Sequence, residues 1–102
     1  MRKACVFFEG RPAGILIEEE GRYIFEYAAD YKGPSISRTL PRGKGRFEFH
    51  DFPPFFDGLL PEGVNLEAFL RKTKIDRRDY FSQLLTVGQD LVGAVTVEKW
   101  RE

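Results

Sequence analysis

Ten phenylalanines, four tyrosines and one tryptophan crowd a chain of only 102 residues. So short a chain has room for a single domain, 1–102, built round one core. A core of that size cannot enclose every large ring, so part of the aromatic load must lie near the surface. Some rings will hold the fold, and others are left over for something else.

Charge and cysteine usage narrow what that something is. Sixteen basic side chains balance sixteen acidic ones, for a formal net charge of zero. A dedicated nucleic-acid binder carries a basic excess instead. One cysteine, Cys5, excludes an internal disulfide framework and fits a reducing cytosol, so a cytoplasmic location is expected. A single cysteine and a single histidine cannot build a Cys/His zinc site, and neither metal nor cofactor is expected. No apolar run approaches the roughly 20 residues of a bilayer span, so no membrane contact is expected. Glu9 ends the first apolar run too early for a secretory signal.

Periodicity divides the chain in two. Residues 4–9 and 14–18 read as strands around a turn at Gly10, Arg11 and Pro12, which suggests an antiparallel hairpin. Residues 22–27 alternate: Tyr23, Phe25 and Tyr27 share one face, and Ile24 breaks the polar face opposite, so that side is expected to be partly covered. Residues 35–40 and 46–50 are further strand candidates. The second half turns helical. One helix is expected from a cap at Asn65, with Leu66, Phe69 and Leu70 on a stripe. Another is expected from a cap at Asp76, with Tyr80, Phe81, Leu84 and Leu85 facing inward and Gly88 closing it in the left-handed conformation. Residues 93–100 read as a last strand. The expected class is α+β: a mainly antiparallel, partly barrel-like sheet with two to three short helices in the second half.

The usual catalytic constellations are missing. There is no phosphate-cradling glycine loop, and Gly43, Lys44 and Gly45 read as a plain turn. His50 stands alone at a strand end, and Cys5 sits in an apolar strand as a small hydrophobe. Glu18, Glu19 and Glu20 are consecutive, so their side chains alternate and cannot converge. Asp57 and Glu62 flank an apolar loop, where the plain reading is charges at a helix start. Two basic clusters, Arg38, Arg42, Lys44 and Arg46 and then Arg71, Lys72, Lys74, Arg77 and Arg78, suit a solvated face or an acidic protein partner.

Residues 51–63 (DFPPFFDGLLPEG) fit neither the helical nor the strand period, yet carry five large apolar side chains. A single helical turn starting at Pro54 is compatible with them. The apolar residues can anchor the loop to its own core or face a partner. The expected division has Phe56 and Leu59 packed inward and residues 60–64 facing out.

At this segment the sequence resembles a known family. Phe55, Phe56, Asp57, Gly58, Leu59, Leu60, Pro61, Glu62 and Gly63 resemble the FFxxLLPEG signature of the N-terminal subdomain of HipA-type serine/threonine kinase toxins. Gly10 to Gly14 resembles that subdomain's first turn, Phe25, Glu26, Tyr27 and Tyr31 its "F.Y…Y" strand, and Leu40 and Pro41 its "sLP". The run from Asp79 to Leu85 resembles its helix, and Gly88 to Val95 its "GxDxxGAv" close. The order is kept along nearly the whole chain. In that family a second subdomain and the kinase core follow; with the chain ending at Glu102, it is similar to the HipS antitoxins of three-component HipBST systems. The resemblance implies a chain that is not an enzyme and that neutralises a HipT-like kinase by protein contact. It also implies a HipB-like DNA-binding protein in a ternary complex, so that any contact with nucleic acid is indirect. Partner-binding residues are expected at Phe55, Asp57, Leu60, Pro61, Glu62, Gly63, Val64 and Asn65. Family signatures of this kind leave room for an aromatic plug after the motif; here Val64 and Asn65 stand there instead, and the tryptophan is Trp100. Two other readings stay open: a non-catalytic fragment of a full-length HipA-like kinase, and a small nucleic-acid-binding module.

Overall fold

Two tight turns, each a Glu followed by a Gly, organise the sheet in a computed structural model that describes residues 1–91 and 93–100. Glu9 and Gly10 have φ of 49° and 80°, and Glu20 and Gly21 have 48° and 77°. Consecutive positive φ values give the turn whose twist matches paired strands. The first turn joins β1 (Arg2–Phe8) to β2 (Arg11–Glu19), and the second joins β2 to β3 (Arg22–Tyr27). Arg11 and Pro12, expected in the turn, therefore open β2. Pro12 lies opposite Phe7 at a bulge, where its missing N–H costs no ladder hydrogen bond.

The chain then adds β4 (Arg46–Phe49) and, at its end, β5 (Val95–Lys99). The five strands run in the order β4-β3-β2-β1-β5, each antiparallel to its neighbours. The sheet stays open, which corrects the expected partial barrel: β4 and β5 lie at opposite edges. Residues 35–40 form no strand beyond a single bridge between Ser37 and Leu40. That stretch is held by side chains instead. The buried Tyr27 hydroxyl donates to the Leu40 carbonyl and accepts from the Ile36 N–H.

Alternation assigns the core. Ala4 and Val6 of β1, Leu16 of β2, Phe25 and Tyr27 of β3, Phe47 of β4 and Val95 and Val97 of β5 all turn to one face and are buried. Of the three helices α1 (Pro54–Asp57), α2 (Gly63–Thr73) and α3 (Tyr80–Val87), α1 and α3 cover that face, and α2 has no buried residue. Phe56 of α1 and Phe81 and Leu84 of α3 are each fully buried against it. Rings meet mostly edge-on or tilted, with Phe25 4.9 Å from Tyr27 and 5.6 Å from Phe56.

Both helix starts differ from expectation by three residues. α2 begins after Glu62, and Asn65 lies inside its first turn. α3 begins after Asp79, whose carboxylate accepts from the Ser82 N–H at 3.1 Å, while Asp76 accepts from the Arg78 N–H in the preceding turn. Tyr80, expected inside, is 37% exposed. Gly88 is right-handed, with φ −56°. Glycine is needed there because a Cβ would lie 2.1 Å from the Val97 carbonyl oxygen of β5. Val92, within the segment 88–95 that carries part of the resemblance, lies outside the described residues, as do residues 101–102.

Candidate functional site

The loop of residues 51–65 is built from two prolines and a set of short-range hydrogen bonds. Pro53 and Pro54 fix the entry to α1, since proline suits a first helical turn. The N–H groups of Asp57 and Gly58 donate to the Pro53 and Pro54 carbonyls, and those of Leu59 and Leu60 to Phe56 and Asp57. The chain thus closes two turns within eight residues. Phe52 packs against Tyr23 at 5.2 Å and Tyr80 at 5.6 Å, and Phe55 lies edge-on to Phe56 at 5.1 Å.

This winding divides the apolar residues differently from expectation. Phe56 is buried as expected. Leu60, expected to face out, is 8% exposed and belongs to the core, whereas Leu59 is only half-buried. The two leucines are consecutive in a tight turn, and the turn points the second one inward. Pro61 is half-buried, and Asp57, Glu62, Gly63, Val64 and Asn65 are exposed. Gly63 has φ +56° with open space where a Cβ would lie, so the backbone turn itself calls for glycine there. It delivers Val64 to the tip at 84% exposure, an isolated aliphatic side chain in water. Beside the tip lies a groove of about 360 Å³, lined by Asp57, Leu60, Pro61, Leu66, Arg77 and Tyr80. Phe55 is half-buried on the core side and does not line it.

Two groups that sequence reasoning missed hold this end of the molecule. Gln83, 1% exposed, donates its amide to the carbonyls of Asp76 and Arg77 and pins the turn before α3. A glutamine in an otherwise apolar helix stripe was the available signal. Arg2 donates to Glu18 at 2.6 and 2.9 Å, to Asp79 at 2.9 Å and to Ser82 at 2.8 Å, tying β1 to β2 and α3. The hydrogen bonds that Arg2 donates to Glu18, and then to Asp79, push its guanidinium further up against the opposing effect of burial. Burial alone would raise the Asp79 carboxyl. The hydrogen bonds from Arg2 and Ser82 outweigh it and hold the group below the ordinary aspartate range. Burial, followed by the Glu18 charge, raises the Tyr23 phenol. Nothing in sequence spacing brings residues 2, 18 and 79 together.

Other candidates stay dispersed. His50 is exposed, and Cys5 is a half-buried free thiol. Glu18 is committed to Arg2. Among the described residues no three His, Cys, Asp or Glu side chains come close enough to hold a metal ion, and no helix is long and apolar enough to cross a membrane. The residues of both basic clusters are exposed; Arg77 pairs with Glu67 at 2.7 Å and Arg46 with Glu48 at 3.8 Å.

Comparison with known proteins places this geometry. The family model for the HipA N-terminal domain matches residues 4–98. A solved N-terminal domain of a HipA toxin superposes with a TM-score of 0.82 at 28% identity, covering 100% of this chain and 95% of that one. An uncharacterised protein of Haemophilus influenzae is 30% identical over 102 residues, which is 100% of this chain and 96% of that protein. Putative kinase Y4dM of Sinorhizobium fredii is 35% identical over 99 residues, 86% of this chain, but the match spans only 24% of the kinase.

Proposed function

Because the chain belongs to the HipA N-terminal domain family, we propose that it acts as a HipS-like antitoxin: it binds a HipT-like serine/threonine kinase and neutralises it without catalysing a reaction. The observation that carries this reading is the family match over residues 4–98. The Haemophilus influenzae relative supports it, because nearly the whole of that protein is this one domain. A HipB-like DNA-binding protein joins the complex, in keeping with a neutral chain whose own contact with nucleic acid is indirect. The exposed loop tip, Pro61 to Asn65 around Val64, reaches the kinase. Covering Val64 there contributes about 1.5–3 kcal/mol.

Co-expression with the kinase encoded in the adjacent reading frame tests the proposal. The expected outcome is restored growth and a complex that survives purification. A kinase that stays fully lethal, or a purified chain that hydrolyses ATP unaided, overturns it. The second reading, a domain of a longer kinase, draws on the Sinorhizobium fredii relative, in which the match accounts for about a quarter of the length. A reading frame that continues without interruption into a kinase core selects it.

A further inference from the structure

An antiparallel sheet with one wet face shows polar side chains on that face. The face of this sheet turned away from the helices has polar side chains at its sides, with Glu98 opposite Cys5, Thr96 opposite Phe7 and Glu26 opposite Ile15, but an apolar centre. Alternation places Cys5 and Phe7 of β1, Ile15 and Ile17 of β2 and Ile24 of β3 there, and register makes them neighbours, with Cys5 opposite Ile15 and Ile17 opposite Ile24. Trp100 joins them: its backbone N–H donates to the Lys3 carbonyl, and the Lys3 ammonium lies 5.6 Å from its ring centre. None of the six belongs to the core cluster under the helices, and Ile24, only 3% exposed, is buried at the centre of this face. Ile24 lies opposite Glu48, which bridges Arg22 at 3.2 Å and Arg46 at 3.8 Å. An apolar centre inside a charged rim is the anatomy of a protein–protein interface.

We infer that this sheet face is the surface by which the domain docks on the catalytic part of a HipA-type kinase. The inference rests on the kinase-binding reading above. Two observations select the occupant. In the putative kinase relative, about three quarters of the chain lies outside the matched domain, and a domain joined to so large a neighbour needs a face to pack it on. The domain is an N-terminal one that matches through residue 98, so in such proteins the chain leaves at the end of β5, within a few residues of Trp100 on this face. The other face is already taken by α1 and α3. The loop tip can meet the same partner. Asp57 and Tyr80 line a cleft with Gly21 at the β2–β3 turn, the sheet end where Lys3 and Trp100 also lie.

The sole cysteine makes this testable without a mutation. Cys5 is a free, half-buried thiol among these residues. Its alkylation by iodoacetamide, followed by mass spectrometry, slows at least tenfold when the kinase is bound. The double variant Ile15→Lys/Ile17→Lys, checked for folding by thermal melt, loses at least tenfold in affinity for the same kinase. Full kinase binding by wild type with Cys5 alkylated at its free rate overturns the sheet-face assignment and leaves the antitoxin reading standing. Failure of the wild type to bind the kinase overturns both. Equal protection of Cys5 without kinase, through self-association at the same concentration in gel filtration, assigns the face to a second copy of the chain and overturns the inference.

Discussion

Single atoms decide two positions. At Gly88 the helical layer meets the edge strand with no space between backbones: a methyl group would lie 2.1 Å from the Val97 carbonyl oxygen. A peptide oxygen cannot rotate away as a side-chain tip can. Gly88→Ala is therefore expected to destabilise by about 3 kcal/mol, the upper end for overpacking. Gly43→Ala, where a Cβ meets nothing within 4 Å and φ is ordinary, should stay within about 0.5 kcal/mol. Urea unfolding of the two variants reads the contrast, and equal midpoints refute it. Asp79 acts through charge as well as shape. It caps α3 and accepts from Arg2, and its carboxyl is held below the ordinary value of 3.8. A depressed folded-state value means that the unfolded chain takes up the proton first on acidification. The stabilisation is thus complete above about pH 4 and is lost as pH falls through the folded-state value. Asp79→Ala should cost about 0.5–2 kcal/mol at pH 7, the usual worth of an N-cap. The gap from wild type should narrow as pH falls below about 4, and melts over a series of acidic pH values follow it. A gap that widens on acidification refutes the sign.

At the scale of elements, the loop of residues 51–65 separates stability from recognition. Leu60 is core, so Leu60→Ala should cost about 2–5 kcal/mol. Val64, four residues on and 84% exposed, should tolerate aspartate within about 0.5 kcal/mol. A large loss of stability in Val64→Asp would show that the tip packs in solution. This contrast also marks where sequence reading stops. Strand β3 was legible because Tyr23, Phe25 and Tyr27 alternate cleanly, and α1 because two prolines announce a first turn. The order of Leu59 and Leu60 was not, since a tight turn imposes no period on its side chains. Asn65 and Asp76 are good capping residues by type, but Glu62 and Asp79 start the helices. Gly63's positive φ begins α2 earlier, and the Arg2 salt bridge and the Ser82 N–H both meet Asp79. Gly88 carried a cap's residue type for a packing reason. The apolar centre of the outer sheet face was half visible, because Ile24 disturbs the alternation while its neighbours across the sheet depend on register.

For the whole molecule the decisive fact is that the first strand is not at an edge. β1 lies between β2 and β5, so the sheet is finished only when the last residues of the chain pair with nearly the first. Contacts across so long a loop come late and slowly, because the chain entropy must be lost before they form. β5 brings Val95 and Val97 to the core, and the turn at Gly88 packs against its backbone. Removing residues 95–102 therefore uncovers Val6 and Leu84, leaves β1 as a bare edge and takes away the partner of Lys3. A bare apolar edge of this kind recruits other chains. The truncated chain should lose its cooperative melt and aggregate, whereas a synthetic peptide of residues 93–102 added in trans should restore dispersed amide signals in an NMR spectrum. Cooperative unfolding of the truncated chain at an unchanged midpoint would mean that β5 is an appendage to the fold. Trp100 would then lie outside the folded unit, and the sheet face would lose the residue at which the longer relatives' chain departs.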